Sequence, residues 1–387
     1  MSDMWNKLKK LALSSKDFAM LGSGNVLATA ISGIFWFYIA TLIGVDSYGE
    51  IGYFIAIASL VGVISTVGAQ NTITVFTAKG EKIVQELAFV SLLSGLISSI
   101  ILFLIFFNIG ASLYVIGYIL FAIISSEILG KKLYKTYSKY IISQRILMVV
   151  LSIGFYYLIG TDGIIIGLGL SFFIYSPRLF NECKNLKLDL SKLKPKKNFI
   201  IHNYATDLVN ILTGSLDKII IAPLFGFMIL GNYQLGIQFL TVLLLIPSVV
   251  YQYILPQDSS GVVNKKLKLI LICSSIFISI FGILLSPFVI PILFPKFIEA
   301  IQVVQIISLV SIPHSFMLIF QSRFLALLKS KIVLAGNGIF VIIQISSIII
   351  LGNILGINGI ALGMVLASIG HASFYAISNK RLKNKII

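Results

Sequence analysis

Long apolar stretches constrain this chain more than any other feature of its sequence. A helix that crosses a bilayer needs about 20 mostly apolar residues, and twelve such segments follow one another along the chain. They cover approximately residues 18–43, 48–68, 86–107, 111–130, 138–160, 162–183, 199–222, 231–254, 267–290, 298–321, 332–353 and 358–378. Only 11% of the residues are charged, against about a quarter in a soluble domain. The sequence therefore predicts an all-α integral membrane protein with 12 transmembrane helices.

The positions of the basic residues test this arrangement, because cytoplasmic loops of membrane proteins are enriched in Lys and Arg. With both termini in the cytoplasm, all of the 30 Lys and Arg residues except Lys218 and Lys296 fall on the cytoplasmic side. A miscounted helix would scramble so one-sided a distribution. The net charge of +16 is thus a topology signal and not a nucleic-acid-binding patch. We expect a multi-pass protein of the plasma membrane.

The longest hydrophilic stretch divides the twelve segments into two sets of six. We predict a cytoplasmic amphipathic N-terminus at 1–17, an N-lobe at 18–183, a cytoplasmic linker at 184–198, a C-lobe at 199–378 and a basic cytoplasmic tail at 379–387. Since six is an even number, both lobes enter the membrane from the same side. They are predicted to be parallel six-helix repeats related by an axis along the membrane normal, with a substrate site between them.

Two patterns of small residues support the internal repeat. The first pattern is Ala40, Leu42, Gly44 and Gly49, which recurs 182 residues later as Ala222, Leu224, Gly226 and Gly231. The second is Gly160, Gly163, Ile164 and Gly167, which recurs 196 residues later as Gly356, Gly359, Ile360 and Gly363. Two independent matches at corresponding places in the halves indicate a duplication.

The seventh segment carries polar residues along one helical face. Their spacing is that of a single face, and they are Asn203, Asp207, Asn210, Gly214 and Asp217. The first segment has a similar stripe that includes Asn25 and Thr29. In hydrocarbon such a stripe is costly unless it faces other protein or a water-filled cavity. We therefore predict that these two faces line a transport pathway.

Uncharged polar side chains dominate the predicted substrate cavity. We expect its lining to include Asn25, Thr29, Asn203, Asp207, Asn210, Gln234 and Gln238. Amides and hydroxyls suit a ligand rich in hydroxyl groups, such as a sugar; alternatively they hydrogen-bond between helices and hold the bundle together. Asp207 has no obvious cation one turn away, so it is the candidate for coupling to H⁺ or Na⁺. Lys218, Arg145 and Arg323 are the weaker candidates for contacting phosphate.

No motif indicates enzymatic chemistry or a resident cofactor. The sequence has no paired carboxylates on an accessible loop, no phosphate-cradling glycine loop and no cluster with the spacing of metal ligands. Cys183 and Cys273 are far apart and resemble apolar packing residues. We therefore expect a protein that is not an enzyme and that has no metal site.

Three short motifs, residues 42–49 (LIGVDSYG), 216–221 (LDKIII) and 231–233 (GNY), stand at the ends of predicted segments. They resemble motifs of polysaccharide biosynthesis flippases, the Wzx-like transporters of the MATE/oligosaccharidyl-lipid/polysaccharide exporter superfamily. Residues 42–49 (LIGVDSYG) resemble the LGxxxYG turn after their first helix. Residues 216–221 (LDKIII) resemble the xDrxxxg segment of their seventh helix, and residues 231–233 (GNY) match the vGxY that opens their eighth. The resemblance implies export of a lipid-linked oligosaccharide from the inner to the outer leaflet by alternating access. It also implies glycan-assembly enzymes as partners.

Members of that family usually place cationic residues in the central cavity for the pyrophosphate. Here only Lys218 lies clearly within a predicted segment, and Arg145 and Arg323 are expected at its inner rim. The alternative is a MATE-like drug or metabolite antiporter of the same fold, coupled to a cation through Asp207. A major-facilitator transporter would share the helix count, but residues 77–82 lack that family's signature. A non-transporting scaffold for glycan assembly would have no need of the polar stripes.

Overall fold

A computed structural model describes the backbone of residues 2–184, 188–261 and 264–384, and the side chains from residue 22 to residue 382 within those ranges. Every regular element in these ranges is helical. The α-helices are α1 (Ser2–Leu42), α2 (Val45–Thr66), α3 (Ala69–Ala78), α4 (Val84–Phe106), α5 (Ile109–Gly130), α6 (Tyr134–Ile159), α7 (Asp162–Ser171), α8 (Ser176–Cys183), α9 (Lys197–Phe225), α10 (Phe227–Leu243), α11 (Leu245–Ser259), α12 (Lys265–Leu293), α13 (Ala300–Ser308), α14 (Ser311–Ala326) and α15 (Ser330–Asn384).

The helices account for the twelve predicted segments. Among the described residues, ten helical stretches are each long and apolar enough to cross a bilayer, and α10 with α11 forms a further span bent by 45°. The long α15 is two helices that meet at Gly356, where the backbone leaves helical geometry (φ 59°, ψ −138°). Counted as two spans, its halves complete the predicted set in the predicted order. The all-α membrane fold is confirmed.

Several spans are broken, which sequence analysis did not predict. α2 is separated from α3 at Val67 and Gly68, and α13 from α14 at Leu309 and Val310. Membrane helices tolerate such breaks where neighbouring side chains satisfy the freed backbone groups. At the first break, the hydroxyl of Ser91 donates to the carbonyl of Thr66 over 3.0 Å. At the second, Ser311 donates to the carbonyls of Ser275 and Ser308, each over 2.9 Å.

By internal contacts the chain forms two compact units, each described here by itself. Unit 1 comprises Met1–Phe35 and Ile57–Leu208, and unit 2 comprises Trp36–Ala56 and Val209–Ile387. The predicted lobe boundaries at 18–183 and 199–378 stay a prediction. The compact units differ from those boundaries in two places: the turn between α1 and α2 belongs to unit 2, and the first part of α9 belongs to unit 1.

In unit 1 the helix α5 forms the centre of the packing. Its neighbours are α3, α4, α6, α7 and α8, and residues on all its faces are buried, including Val115, Ile119, Ile123 and Ile128. A membrane helix that is apolar all round and buried all round is the core of its bundle. The lipid-facing surface is instead supplied by helices such as α4, where Ile100, Leu104 and Ile105 are exposed.

In unit 2 the first sequence repeat appears as a reciprocal contact. A Cβ atom on Gly49 in α2 would overlap the carbonyl oxygen of Phe227, and one on Gly231 in α10 would overlap the carbonyl oxygen of Val45. Val45 and Phe227 are 182 residues apart, as are Gly49 and Gly231. Corresponding residues of the two halves therefore make the same contact with each other. Small residues let membrane helices approach this closely.

The second repeat appears as the same hairpin in each half. Gly160 (φ 80°, ψ −152°) and Gly356 (φ 59°, ψ −138°) adopt nearly the same backbone conformation, which side chains disfavour. A Cβ on Gly163 would overlap the carbonyl oxygen of Phe155, and one on Gly359 would overlap that of Leu351. All three pairs are 196 residues apart. The internal duplication is thus present in the backbone geometry.

The described part of the predicted linker is fixed to unit 1. A 3₁₀ helix covers Leu190–Lys196. Lys192 Nζ lies 2.7 Å from a carboxylate oxygen of the buried Glu86, and Lys196 Nζ lies 2.7 Å from a carboxylate oxygen of Glu81. This stretch is anchored and does not hang as a free tether.

Two terminal predictions remain predictions. The backbone of the predicted N-terminal segment continues into the first span as one helix from Ser2. Its side chains lie outside the described residues, and its amphipathic surface role stays a prediction. In the predicted tail the helical backbone extends to Asn384, while residues 385–387 lie outside the description.

The reciprocal glycine contact predicts an unequal response to alanine. Gly231→Ala and Gly49→Ala place a methyl group against backbone that cannot rotate away, so each should lower the stability of unit 2 by about 1–3 kcal/mol. Gly44→Ala is the matched control, since nothing lies within 4 Å of its Cβ position, and it should change stability by less than about 0.5 kcal/mol. Thermal unfolding of the purified variants in detergent measures the difference; equal melting temperatures would show that the helices do not cross at these glycines.

Candidate functional site

The predicted cavity residues fall in both compact units. Asn25, Thr29, Asn203 and Asp207 belong to unit 1, and Asn210, Gln234 and Gln238 belong to unit 2. Whether the two groups face a common cavity stays a prediction, and the geometry of each is given separately.

In unit 1 the break between α2 and α3 lies against the first part of α9. Val67 and Gly68 take positive φ values of 50° and 74°. A Cβ on Gly68 would lie 2.6 Å from the carbonyl oxygen of Ile200, so only glycine permits this approach. The break and the close contact together place the start of α3 beside α9.

A buried carboxylate lies next to this break. Asp207 on α9 is 9% exposed, and its Oδ1 accepts a hydrogen bond of 3.3 Å from Nδ2 of Asn71 on α3. Its Oδ2 is buried and has no hydrogen-bond partner, and no basic side chain pairs with it among the described residues. A carboxylate with unused acceptor capacity in an apolar setting can take up a proton or a small cation.

Amides and tyrosines extend the polar region from Asn71 along α5. The residue before it, Gln70, donates from Nε2 to the hydroxyl of Tyr118 over 3.0 Å. One turn earlier on α5, the hydroxyl of Tyr114 accepts from Ser59 over 3.3 Å. Sequence analysis missed Gln70 and Asn71. Their signal was two adjacent amides after a glycine, close to the end of an apolar segment.

The other predicted cavity residues of unit 1 form hydrogen bonds within their own helices. Thr29 donates to the carbonyl of Asn25 over 2.8 Å, and Asn203 donates to the carbonyl of Phe199 over 3.0 Å. Each of these bonds joins residues four apart on one helix. Asn25, Thr29 and Asn203 are half-buried.

Arg145 lies 11 residues, or about 16 Å, from the start of α6 at Tyr134. Its expected position at the inner rim stays a prediction. Its Nε is buried without a hydrogen-bond partner. Its Nη1 contacts the sulfur of Met148 at 3.6 Å. Among the described residues no carboxylate pairs with this guanidinium, so it keeps its capacity to bind an anion.

Two tyrosines lie within range of the charge of this arginine. Tyr137 and Tyr175 are close enough to interact with its charge. Tyr140 stacks on Tyr175 with ring centroids 5.3 Å apart. A guanidinium set among aromatic rings offers both a charge and flat apolar surface to a ligand.

The predicted phosphate contact Lys218 is already occupied within unit 2. Its ammonium lies 3.3 Å from Oδ1 of Asp217 and donates to the carbonyl of Gly214 over 2.9 Å. The other oxygen of Asp217 accepts a hydrogen bond of 2.9 Å from the hydroxyl of Tyr233. Asp217 therefore pairs with Lys218 and also ties α9 to α10 through Tyr233. The role of Lys218 as a phosphate contact stays a prediction.

The remaining unit 2 candidates have varied surroundings. Asn210 is exposed and accepts a hydrogen bond of 3.3 Å from Nδ2 of Asn337. Gln234 is buried, and its Oε1 has no partner among the described residues. Gln238 is half-buried. Arg323 lies in the last turn of α14, as expected for a residue at the rim.

Sequence analysis also missed a carboxylate cluster at one end of unit 1. Glu127 is fully buried at the end of α5 and accepts two hydrogen bonds from the guanidinium of Arg178 on α8, over 2.7 and 3.1 Å. Lys131 pairs with both Glu127 and Glu182. Burial opposes the charged form of Lys131, but the hydrogen bonds to these two carboxylates raise its pKa above the usual value. This cluster is structural, because its charges are compensated.

Solved structures show which known proteins share the fold. The chain is similar to the lipid II flippase MurJ in an inward closed conformation, with a TM-score of 0.73 and 16% identity over 91% of this chain and 86% of that one. It is similar to an inward-facing multidrug resistance MATE family transporter of the MOP superfamily (TM-score 0.68, 14% identity, 93% and 95% coverage). It is also similar to a MOP superfamily transporter from Pyrococcus furiosus (TM-score 0.60, 13% identity, 95% and 96% coverage).

These similarities establish the fold of the chain, which it shares with the flippase and the transporters named above. They do not single out the Wzx-like branch. No protein-family model matches the chain, and no curated protein matches its sequence.

The two kinds of buried carboxylate in unit 1 predict opposite effects of amidation. Asp207→Asn removes a lone charge whose burial is unfavourable, so stability should stay equal or rise by up to roughly 1–3 kcal/mol. Glu127→Gln leaves Arg178 uncompensated and should cost about 3–5 kcal/mol. Melting temperatures of the purified variants provide the comparison. An equal loss in both would mean that Asp207 has a structural partner.

Proposed function

We propose that this protein is a secondary transporter of the plasma membrane that moves a lipid-linked oligosaccharide from the inner to the outer leaflet. The transporter fold and the resemblance of its motifs to polysaccharide flippases support this proposal. Alternating access exposes the substrate to each side of the membrane in turn. Both termini face the cytoplasm, where the glycan-assembly enzymes supply the substrate.

The proposal of a phosphate-bearing substrate rests on Arg145, whose guanidinium has no ion-pair partner among the described residues. An unpaired charge within a membrane span marks a candidate site of function, and arginine binds phosphate through two parallel hydrogen bonds. The substrate of a flippase of this kind bears a phosphate or pyrophosphate between lipid and sugar. Arg145 supplies the matching charge, and the nearby tyrosines supply surface on which a sugar ring can rest.

Asp207 supplies the coupling in this proposal. Its partner Asn71 is neutral, and its second oxygen is free to receive a proton or Na⁺. Neutralising the charge strengthens packing of α9 against the break between α2 and α3, because a neutral group is cheaper to bury. Binding and release of the cation thereby change the stability of the contact between α9 and the break between α2 and α3. No further cofactor is required.

A MATE-like antiporter of drugs or metabolites is the second candidate. The observation in its favour is the same lone carboxylate, together with the fold shared with the MATE family transporter. Such a protein needs Asp207 but has no use for an anion-binding guanidinium. The two candidates therefore differ in the role of Arg145.

Arg145→Gln tests the substrate in proteoliposomes. A fluorescent polyprenyl-pyrophosphate glycan is supplied, and a membrane-impermeant probe reports its arrival in the outer leaflet. Loss of a charge-assisted hydrogen bond should slow movement by about 10- to 100-fold. Lys139→Gln is the matched control, since it removes an exposed positive charge from the same helix, and it should leave the rate unchanged.

Three outcomes would contradict the phosphate role. The first is normal glycan movement by Arg145→Gln at normal expression. The second is an equal loss in Lys139→Gln. The third is transport of a small cationic dye by the wild type without glycan movement, which would favour the antiporter.

Asp207→Asn tests the coupling in the same vesicles. With an imposed H⁺ or Na⁺ gradient, wild-type glycan movement should accelerate, whereas the variant should show no response to either gradient. Its insertion and melting temperature should match the wild type or exceed it. A variant that still responds to the gradient would remove Asp207 from the coupling role.

A further inference from the structure

Two cavities meet at the end of unit 1 that carries the basic loops. One is a groove of about 620 Å³ between α4 and α8, and the other is a basin of about 470 Å³ bordered by the ends of α3, α5 and α8. Gln85 and Asn181 line both. Gln85 also donates from Nε2 to the carbonyl of Glu182 over 2.6 Å and so ties α4 to α8 at the shared rim.

The groove is apolar along its length. Its walls include Ala88, Phe89 and Leu92 on α4, and Leu179, Phe180 and Cys183 on α8. Phe89 is 43% exposed and Phe180 is 80% exposed, so the groove opens toward the bilayer. From Gln85 to Leu92 it follows α4 for about 10 Å, which matches the upper part of a lipid acyl chain.

The residues that line the groove and the basin include more positive than negative side chains. Lys131 is compensated by Glu127 and Glu182, and Lys192 by Glu86. Lys82 lines the basin and Lys184 lines the groove, and both are exposed.

Among the described residues no carboxylate pairs with Lys82 or Lys184. One uncompensated ammonium group therefore lines the apolar groove, and a second lines the basin that shares Gln85 and Asn181 with it. The distribution of basic residues along the chain predicts that this end faces the cytoplasm.

We propose that the groove between α4 and α8 binds one anionic phospholipid of the inner leaflet. One acyl chain lies along Phe89 and Phe180, and the headgroup phosphate is held by Lys82 and Lys184. The charge of these two ammonium groups selects an anionic headgroup over a zwitterionic one, since basic side chains near a membrane surface attract anionic lipids. This site is separate from Asp207 and Arg145, so the proposal does not depend on the transport function.

Native mass spectrometry of the detergent-solubilised protein tests the selectivity. With phosphatidylglycerol and phosphatidylcholine offered together, the wild type should retain the anionic lipid preferentially. The double variant Lys82→Gln/Lys184→Gln should lose about fivefold in preference for each lysine, or about 25-fold together. The matched control, Lys135→Gln/Lys139→Gln, removes two exposed positive charges of the same unit and should keep the wild-type preference.

Cys183 reports whether a chain occupies the groove. In a Cys273→Ser background its thiol is the single reactive sulfur of the chain. Its modification by a maleimide should be slower in nanodiscs of equimolar phosphatidylglycerol and phosphatidylcholine than in phosphatidylcholine alone. The Lys82→Gln/Lys184→Gln variant should react equally fast in both membranes.

Each contrary result overturns the proposal. Equal retention of both lipids by the wild type, or an equal loss of preference in the two double variants, would show unspecific attraction to basic loops. Equal Cys183 reactivity of the wild type in the two membranes would show that no chain enters the groove. Displacement of phosphatidylglycerol by lower concentrations of a polyprenyl phosphate would assign the groove to a transport substrate instead.

Discussion

An unpaired charge inside a membrane span is the costliest feature that a protein of this class carries, and this chain compensates most of the buried charges that the structure describes. Glu127 is bound by Arg178 and Lys131, and Glu86 by Lys192. In unit 2, Asp217 pairs with Lys218, and Asp258 with Lys268. Asp207 and Arg145 differ from these compensated residues. Their charges lie in spans without an ion-pair partner among the described residues, so a ligand or a coupling ion is the natural source of compensation.

The duplicated backbone explains how such sites can be held in place. Glycines let three pairs of helices touch through backbone atoms. One pair meets at the reciprocal contact of Gly49 and Gly231, and the other two meet at the hairpins after Gly160 and Gly356. Contacts without intervening side chains are rigid, because they have no rotamers to change. The breaks in the spans lie elsewhere, and the break at Gly68 is the one that brings Asn71 to Asp207. Within unit 1, the backbone contact after Gly160 thus contrasts with the local interruption at Gly68.

The lengths of the apolar segments predicted the spans, and equal glycine spacings in the two halves predicted both repeats. Both signals lie in the sequence itself and need no knowledge of tertiary contacts. Helical periodicity also singled out Asp207, whose lack of a neighbouring cation is visible within one helical turn. It could not predict Asn71 as the partner, since that contact depends on a helix break and joins residues 136 positions apart. The depth of Arg145 in the membrane stays a prediction, because the bounds of α6 (Tyr134–Ile159) do not show where the bilayer begins. The pairing of Glu127 with Arg178 was missed because it crosses between two helices.

The most direct test of the account concerns the phosphate that Arg145 is proposed to recognise. Two fluorescent lipid-linked glycans with the same sugar and the same polyprenyl chain are compared in wild-type proteoliposomes, one joined through pyrophosphate and one through a neutral ether. The account predicts rapid movement of the pyrophosphate form and only background movement of the neutral form. Equal movement of both would contradict it, because the uncompensated guanidinium would then have no part in choosing the substrate.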